Sequence, residues 1–322
     1  MVKYYHSNMP GAPVLSGAAG ALIAILDACL KDGFGLKTVD SLVIAGGVAT
    51  MTISTGMTFE QDAVVQIAGI TGGAAALNGD RRLLSIAGNT ATFNAAGVSD
   101  QAATGSITAK VSPLGWAKPF SGTNVGVYRA TDPTSLGMYL RVDDTGTTVA
   151  RVVGYETMSD VNTGTGPFPT SAQVAGGGYW EKSGAAGATA RNWIVVGDER
   201  AFYWWCVPNA ATTITSQGVL RGFGDLIPRR STDAYAAFLQ ADISSIVTST
   251  AALGDLISST NPSASAYMTS PRNQSALGSS SQLFAYSESR RATTAVTRSG
   301  VGVGYSAPYP NTCDNALDLD RV

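Results

Sequence analysis

The chain has 322 residues, 37 of them glycine, with 14% charged and 8% aromatic side chains and a formal net charge of −2. Its length supports two or three domains, and its small residues favour a strand-rich, turn-rich fold over a helical bundle. No overall basic field draws in nucleic acid or anionic lipid, and the pairs Arg229-Arg230 and Arg290-Arg291 read as solvated surface.

The N-terminal MVKYYHSNMPG lacks the charged-then-apolar pattern of a secretory signal. Ser16 is placed to cap a short helix whose apolar stripe is Leu22, Ile25, Leu26, Cys29 and Leu30, with Gly33 as its stop. The stripe must dock, either on the helix's own domain or on a neighbouring subunit. Asp27 interrupts this apolar run well short of the ~20 residues that span a bilayer, so no membrane insertion is expected.

From Leu42 the hydrophobic period switches to two. Residues 42–44 and 48–53 flank Gly46-Gly47 as a hairpin, and 64–67, 82–86, 90–93 and 106–111 read as further strands, punctuated by Asn78-Gly79 and Gly88-Asn89. This segment, 38–112, is predicted to be a small inserted β-barrel or sandwich projecting from a β-sandwich-like host made of 1–36 and 113–227.

The host is predicted to contain strand–turn–strand units at 138–155, around Asp143-Asp144-Thr145-Gly146, and at 193–207, around Gly197-Asp198-Glu199. The run Phe202-Tyr203-Trp204-Trp205 looks apolar on both faces, as in a strand central to a sandwich or buried between subunits. Phe202, Trp204 and Trp205 are therefore interface candidates. Beyond Pro228 the character changes. A short helix is expected at 233–239, a long Ser/Thr-rich loop or arm at 258–281, and an extended segment at 301–311 that adds Tyr305 and Tyr309 to the interface candidates. The acidic end, NALDLDRV, is expected to dock on something. Residues 228–322 thus read as a C-terminal extended arm or β region that a partner orders.

Chemistry-bearing patterns are sparse. The single histidine, His6, reads as a satisfied contact beside Tyr4 and Tyr5. Asp143-Asp144 reads as hairpin-turn chemistry. Cys29, Cys206 and Cys313 have neither disulfide nor zinc spacing, so no metal and no cofactor is expected. The sequence GVGVGY lacks the strand–turn–helix setting of a dinucleotide loop, and no Walker loop or nucleophile elbow is present. Trp180, Trp193, Trp204 and Trp205 could line a sugar-binding surface.

The opening YYHSNMPGAPVLSGAAGALIAILDACLKDGFG resembles structural proteins of tailed bacteriophages and prophages. So do GWAKPFSGTNVGVYR, YLRVDDTGTTVARVVGYETMSDVNTGTGPFPT and WIVVGDERAFYWW, and the 38–112 segment is similar to small β-domains that decorate phage tail proteins. The resemblance implies a mainly β, non-enzymatic virion component of the tail tip or baseplate. Its partners would be copies of itself and neighbouring virion proteins. A capsid decoration or head-fibre protein, and a receptor-binding adhesin recognising host-surface glycan, are the alternatives.

Overall fold

The computed structural model describes residues 1–208, 218–226, 233–242, 266–272 and 280–283. The fold is mainly β. In chain order, strands β1 (Lys3–His6) and β2 (Leu15–Gly17) precede helix α1 (Ala21–Leu26), which runs on as a π-type turn over Asp27–Asp32. Next come β3 (Phe34–Thr38), β4 (Ser41–Ala45), β5 (Val48–Thr52), β6 (Val64–Ala68), β7 (Gly79–Ala87), β8 (Thr90–Asn94), β9 (Gln101–Ala102) and β10 (Thr108–Val111). They are followed by β11 (Ala117–Gly122), β12 (Val125–Arg129), β13 (Tyr139–Asp143), β14 (Val149–Tyr155), β15 (Thr157–Met158), β16 (Gly164–Thr165) and β17 (Gly178–Glu181). The last are β18 (Gly187–Arg191), β19 (Trp193–Gly197), β20 (Ala201–Cys206), β21 (Val219–Asp225), β22 (Ala237–Asp242), β23 (Ala266–Ser270) and β24 (Ser281–Leu283).

Strands β3 to β10 form one eight-stranded sheet, ordered β3-β10-β6-β7-β8-β5-β4-β9. Its β4–β5 hairpin turns through Gly46 and Gly47, at φ 56° and 76°, with Ala45 opposite Val48. Positive φ at both central residues is the geometry of a two-residue type I′ turn, which glycine adopts without strain. Leu42, Ile44, Ala49, Met51, Ala91 and Phe93 all point inward from β4, β5 and β8, as the alternation requires. The expected strands at 64–67, 82–86, 90–93 and 106–111 are all present.

The remaining long strands form a twelve-stranded sheet along β1-β19-β20-β21-β22-β17-β14-β13-β12-β11, with β23 and β24 added beside β22. One continuous apolar core links both sheets, from Leu42 and Phe93 through Tyr5, Phe34 and Val111 to Trp180 and Phe223. Strand β1 stitches the two regions together. Lys3 Nζ donates to Asp80 Oδ2 at 2.6 Å, Tyr5 OH to the Ser112 carbonyl at 2.7 Å, and Arg82 to the Val2 carbonyl at 2.7 Å. Residues 34–111 are therefore joined to the larger sheet through shared core and polar contacts.

Two expectations are corrected. Ser16 lies in β2, and the helix starts after Gly20, with no side-chain cap from its own residues. Asp144, 122 residues away, accepts the Leu22 N–H at 2.7 Å and the Ile23 N–H at 3.3 Å. A carboxylate there satisfies two orphan donors, which is what a local cap would do. Gly33, at φ 71°, ends the segment as expected.

The short helix expected at 233–239 is absent. Asp233 Oδ1 accepts the Tyr235 N–H at 2.9 Å in a tight turn, and Ala237 enters β22, buried on both faces. Pairing with β21 and β23 on its two sides overrides the helix preference of Ala, Leu and Gln. The sheet continues past 227: β22, β23 and β24 belong to it, so the described part of 228–322 is β. Residues 228–232, 243–265, 273–279 and 284–322 lie outside the described residues.

Candidate functional site

Sheet parity decides which aromatic residues can meet a partner. In β20 burial alternates: Phe202, Trp204 and Cys206 point inward, and Tyr203 and Trp205 point outward. Phe202 and Trp204 are 0% exposed, with the Phe202 ring edge-on to Trp116 at 5.3 Å and Trp180 6.0 Å from Trp204. These two interface candidates are enclosed in the chain's own core and are unavailable to a neighbour while the fold is intact. Trp205 lies on the outer face, half-buried. Tyr305 and Tyr309 lie outside the described residues.

Trp180 and Trp193 are also 0% exposed, their indole N–H groups donating to the Gln240 and Pro13 carbonyls at 2.8 and 3.0 Å. Trp180, Trp193 and Trp204 therefore cannot stack on a sugar, and Trp205 is the one of the four that faces outward.

Register places two rows across the outer face of β1, β19, β20 and β21. His6, Ile194, Trp205 and Leu220 form one; Tyr4, Val196, Tyr203 and Gly222 form the other. Directly opposed residues share a face, so each row is a contiguous strip. Ile194 and Val196 are each 40% exposed at its centre. His6 Nε2 lies 2.9 Å from Glu60 Oε2 and its Nδ1 accepts the Asn8 N–H, so both ring nitrogens are engaged. The strip was missed in the sequence because Ile194 and Val196 look like ordinary alternate core positions.

The inner face of the same sheet carries charge. Arg221, on β21 opposite Trp204, donates to Glu181 Oε2 at 2.8 Å and to Asp242 Oδ2. All three side chains are at most 2% exposed. One guanidinium faces two carboxylates. Burial, reinforced by Glu181 against the opposing pull of Arg221, pushes the Asp242 carboxyl up to about 8, so it holds a proton at neutral pH. A hydrogen bond with Glu181 raises Asp242 further. The Arg221 guanidinium is raised by its carboxylates although burial opposes this. Cys206 closes the cluster, its thiol donating to the Glu181 carbonyl at 3.1 Å and pushed well up by burial.

Beside it, Lys182 Nζ pairs with Asp144 Oδ1 and donates to the Ala18 carbonyl at 2.7 Å, both side chains fully buried. Burial raises the Asp144 carboxyl, against the lowering pull of Lys182 and the helix amides. Asp143 alone keeps the expected turn role, accepting from the Thr145 hydroxyl at 2.7 Å. Both charge groups are sealed from solvent and tie β17 to β21, β22 and α1 as clamps. Among the described residues no cluster of His, Cys, Asp and Glu has metal-binding geometry, and no helix is long and apolar enough to cross a membrane.

No protein-family model, curated protein or solved structure matches the chain.

Proposed function

We propose that this chain is a non-enzymatic structural component of a tailed-phage particle, at the tail tip or baseplate, that works by packing against copies of itself and neighbouring virion proteins. One observation carries the reading: the apolar strip on the outer face of β1, β19, β20 and β21, where Ile194 and Val196 stand beside Trp205 and Tyr203. A contiguous apolar strip on a sheet face marks an interaction surface more often than an open one. The rigid scaffold behind it, with Arg221 and Lys182 clamped in the interior, fixes the strip's shape before contact and lowers the ordering cost of assembly. The resemblance of residues 115–129, 139–170 and 193–205 to phage structural proteins points the same way.

Antibody labelling of intact particles tests the placement. Label concentrated at the tail end supports it; a chain absent from purified particles overturns it.

A further inference from the structure

Three arginines stand in a diagonal on the outer face of β12, β13 and β14, away from the apolar strip. Arg129 is in register with Tyr139, Arg141 with Val127 and Val153, and Arg151 with Asp143 and Tyr179. Each step moves one strand across and two residues along, so neighbouring arginine Cα atoms are about 8 Å apart and the diagonal is about 17 Å long, given ordinary strand spacings.

The guanidinium groups are held in place. Arg129 Cζ sits 5.0 Å from the Tyr139 ring centroid, and its Nε donates to the Gly137 carbonyl at 2.9 Å. Arg151 Cζ lies 3.7 Å over Tyr179 and donates to the Ala175 and Gly177 carbonyls. Arg141 donates to the Val161 carbonyl at 2.8 Å and to Asn162 at 3.0 Å. Among the described residues no carboxylate lies within ion-pair distance of Arg129 or Arg151, which carbonyls and rings orient, while Arg141 pairs with Asp143 Oδ2 at 3.4 Å. Oriented arginines with spare N–H groups suit a carboxylate partner.

The chain carries a segment of matching charge. Residues 311–322 contain Asp314, Asp318 and Asp320, with Ala316 between them and Arg321 as the one cation. Bound in extended form along the diagonal, such a segment would set its three aspartates on one side over about 20 Å, a span comparable with the arginine diagonal. We propose that the acidic segment 314–320 of one copy docks on the Arg129–Arg141–Arg151 diagonal of a neighbouring copy. This deepens the assembly role proposed above and rests on it.

The test uses the full chain with its own Asp314, Asp318 and Asp320 replaced by Asn, so that its tail does not compete. A fluorescent peptide of residues 311–322 should bind it saturably at low salt and weaken steeply as salt rises. The same peptide with the three aspartates changed to Asn should bind at least about tenfold more weakly, a loss of ~1.4 kcal/mol. Arg129→Gln with Arg151→Gln in the receptor should give a comparable loss, with circular dichroism confirming its fold. Equal binding of the Asn peptide, which leaves the protein untouched, overturns the inference. A chain that assembles normally with its aspartates neutralised removes this docking but leaves the assembly role intact. A chain that binds the peptide yet never self-associates removes the assembly role instead.

Discussion

The two sheets keep their shape by different means. Among the described residues, every buried polar or charged side chain lies outside residues 34–111. The eight-stranded sheet is held by Leu42, Ile44, Met51, Leu83 and Phe93 in a dry interior. The twelve-stranded sheet buries Arg221, Glu181, Asp242, Lys182 and Asp144 as well. A dry core tolerates many sequences of the right volume, whereas a buried charge cluster holds only while every member keeps its partner. The charged region is thus the better specified and the more easily broken.

Arg221→Met breaks the contrast most severely. It leaves Glu181 and the raised Asp242 carboxyl buried without their cation, a loss of about 3–5 kcal/mol read by chemical denaturation, and one that grows with pH as Asp242 ionises. Phe93→Ala in the dry sheet should cost a similar ~3–5 kcal/mol through cavity formation, but with no pH dependence of its own. Equal pH profiles for the two variants would contradict the distinction.

Asp242 gives the pH effect a direction. Its carboxyl is pushed up to about 8 in the fold, against about 3.9 when unfolded. The stability it contributes is fully present below the unfolded value and is lost as pH rises through the folded one. Melting temperature should therefore fall between about pH 4 and 8, and Asp242→Asn should flatten that slope. Asp144, raised in the same sense, keeps part of it. A smaller effect is expected at the β4–β5 turn. Gly46→Ala, at φ 56° with open space around it, should lose about 1 kcal/mol through backbone strain alone, and Gly46→Asn less.

Legibility in the sequence divided along similar lines. The hairpins around Gly46-Gly47, Asp143-Asp144 and Asp198 could be read because alternation and turn chemistry are local. The strand Ala237–Asp242 could not, since its pairing with β21 and β23 is set by residues far along the chain. Glu181 and Lys182 look like solvated charge, yet both are buried. A signal for Asp144 existed: it continues the inward parity of Leu140 and Val142 and so faces the core, where α1 needs a cap. The same parity separates Trp204 from Trp205, which reading the aromatic run as apolar on both faces obscured. The acidic tail and the arginine diagonal lie more than 160 residues apart, and only strand register reveals that the three arginines align.

Sedimentation of the purified full chain across concentration, alongside Ile194→Asp with Val196→Asp, tests self-association through the outer strip most directly. The account predicts concentration-dependent assembly of the unaltered chain and, for the folded double variant, assembly only at much higher concentration. An unaltered chain that stays monomeric at every concentration, or a double variant that assembles equally well, would contradict it.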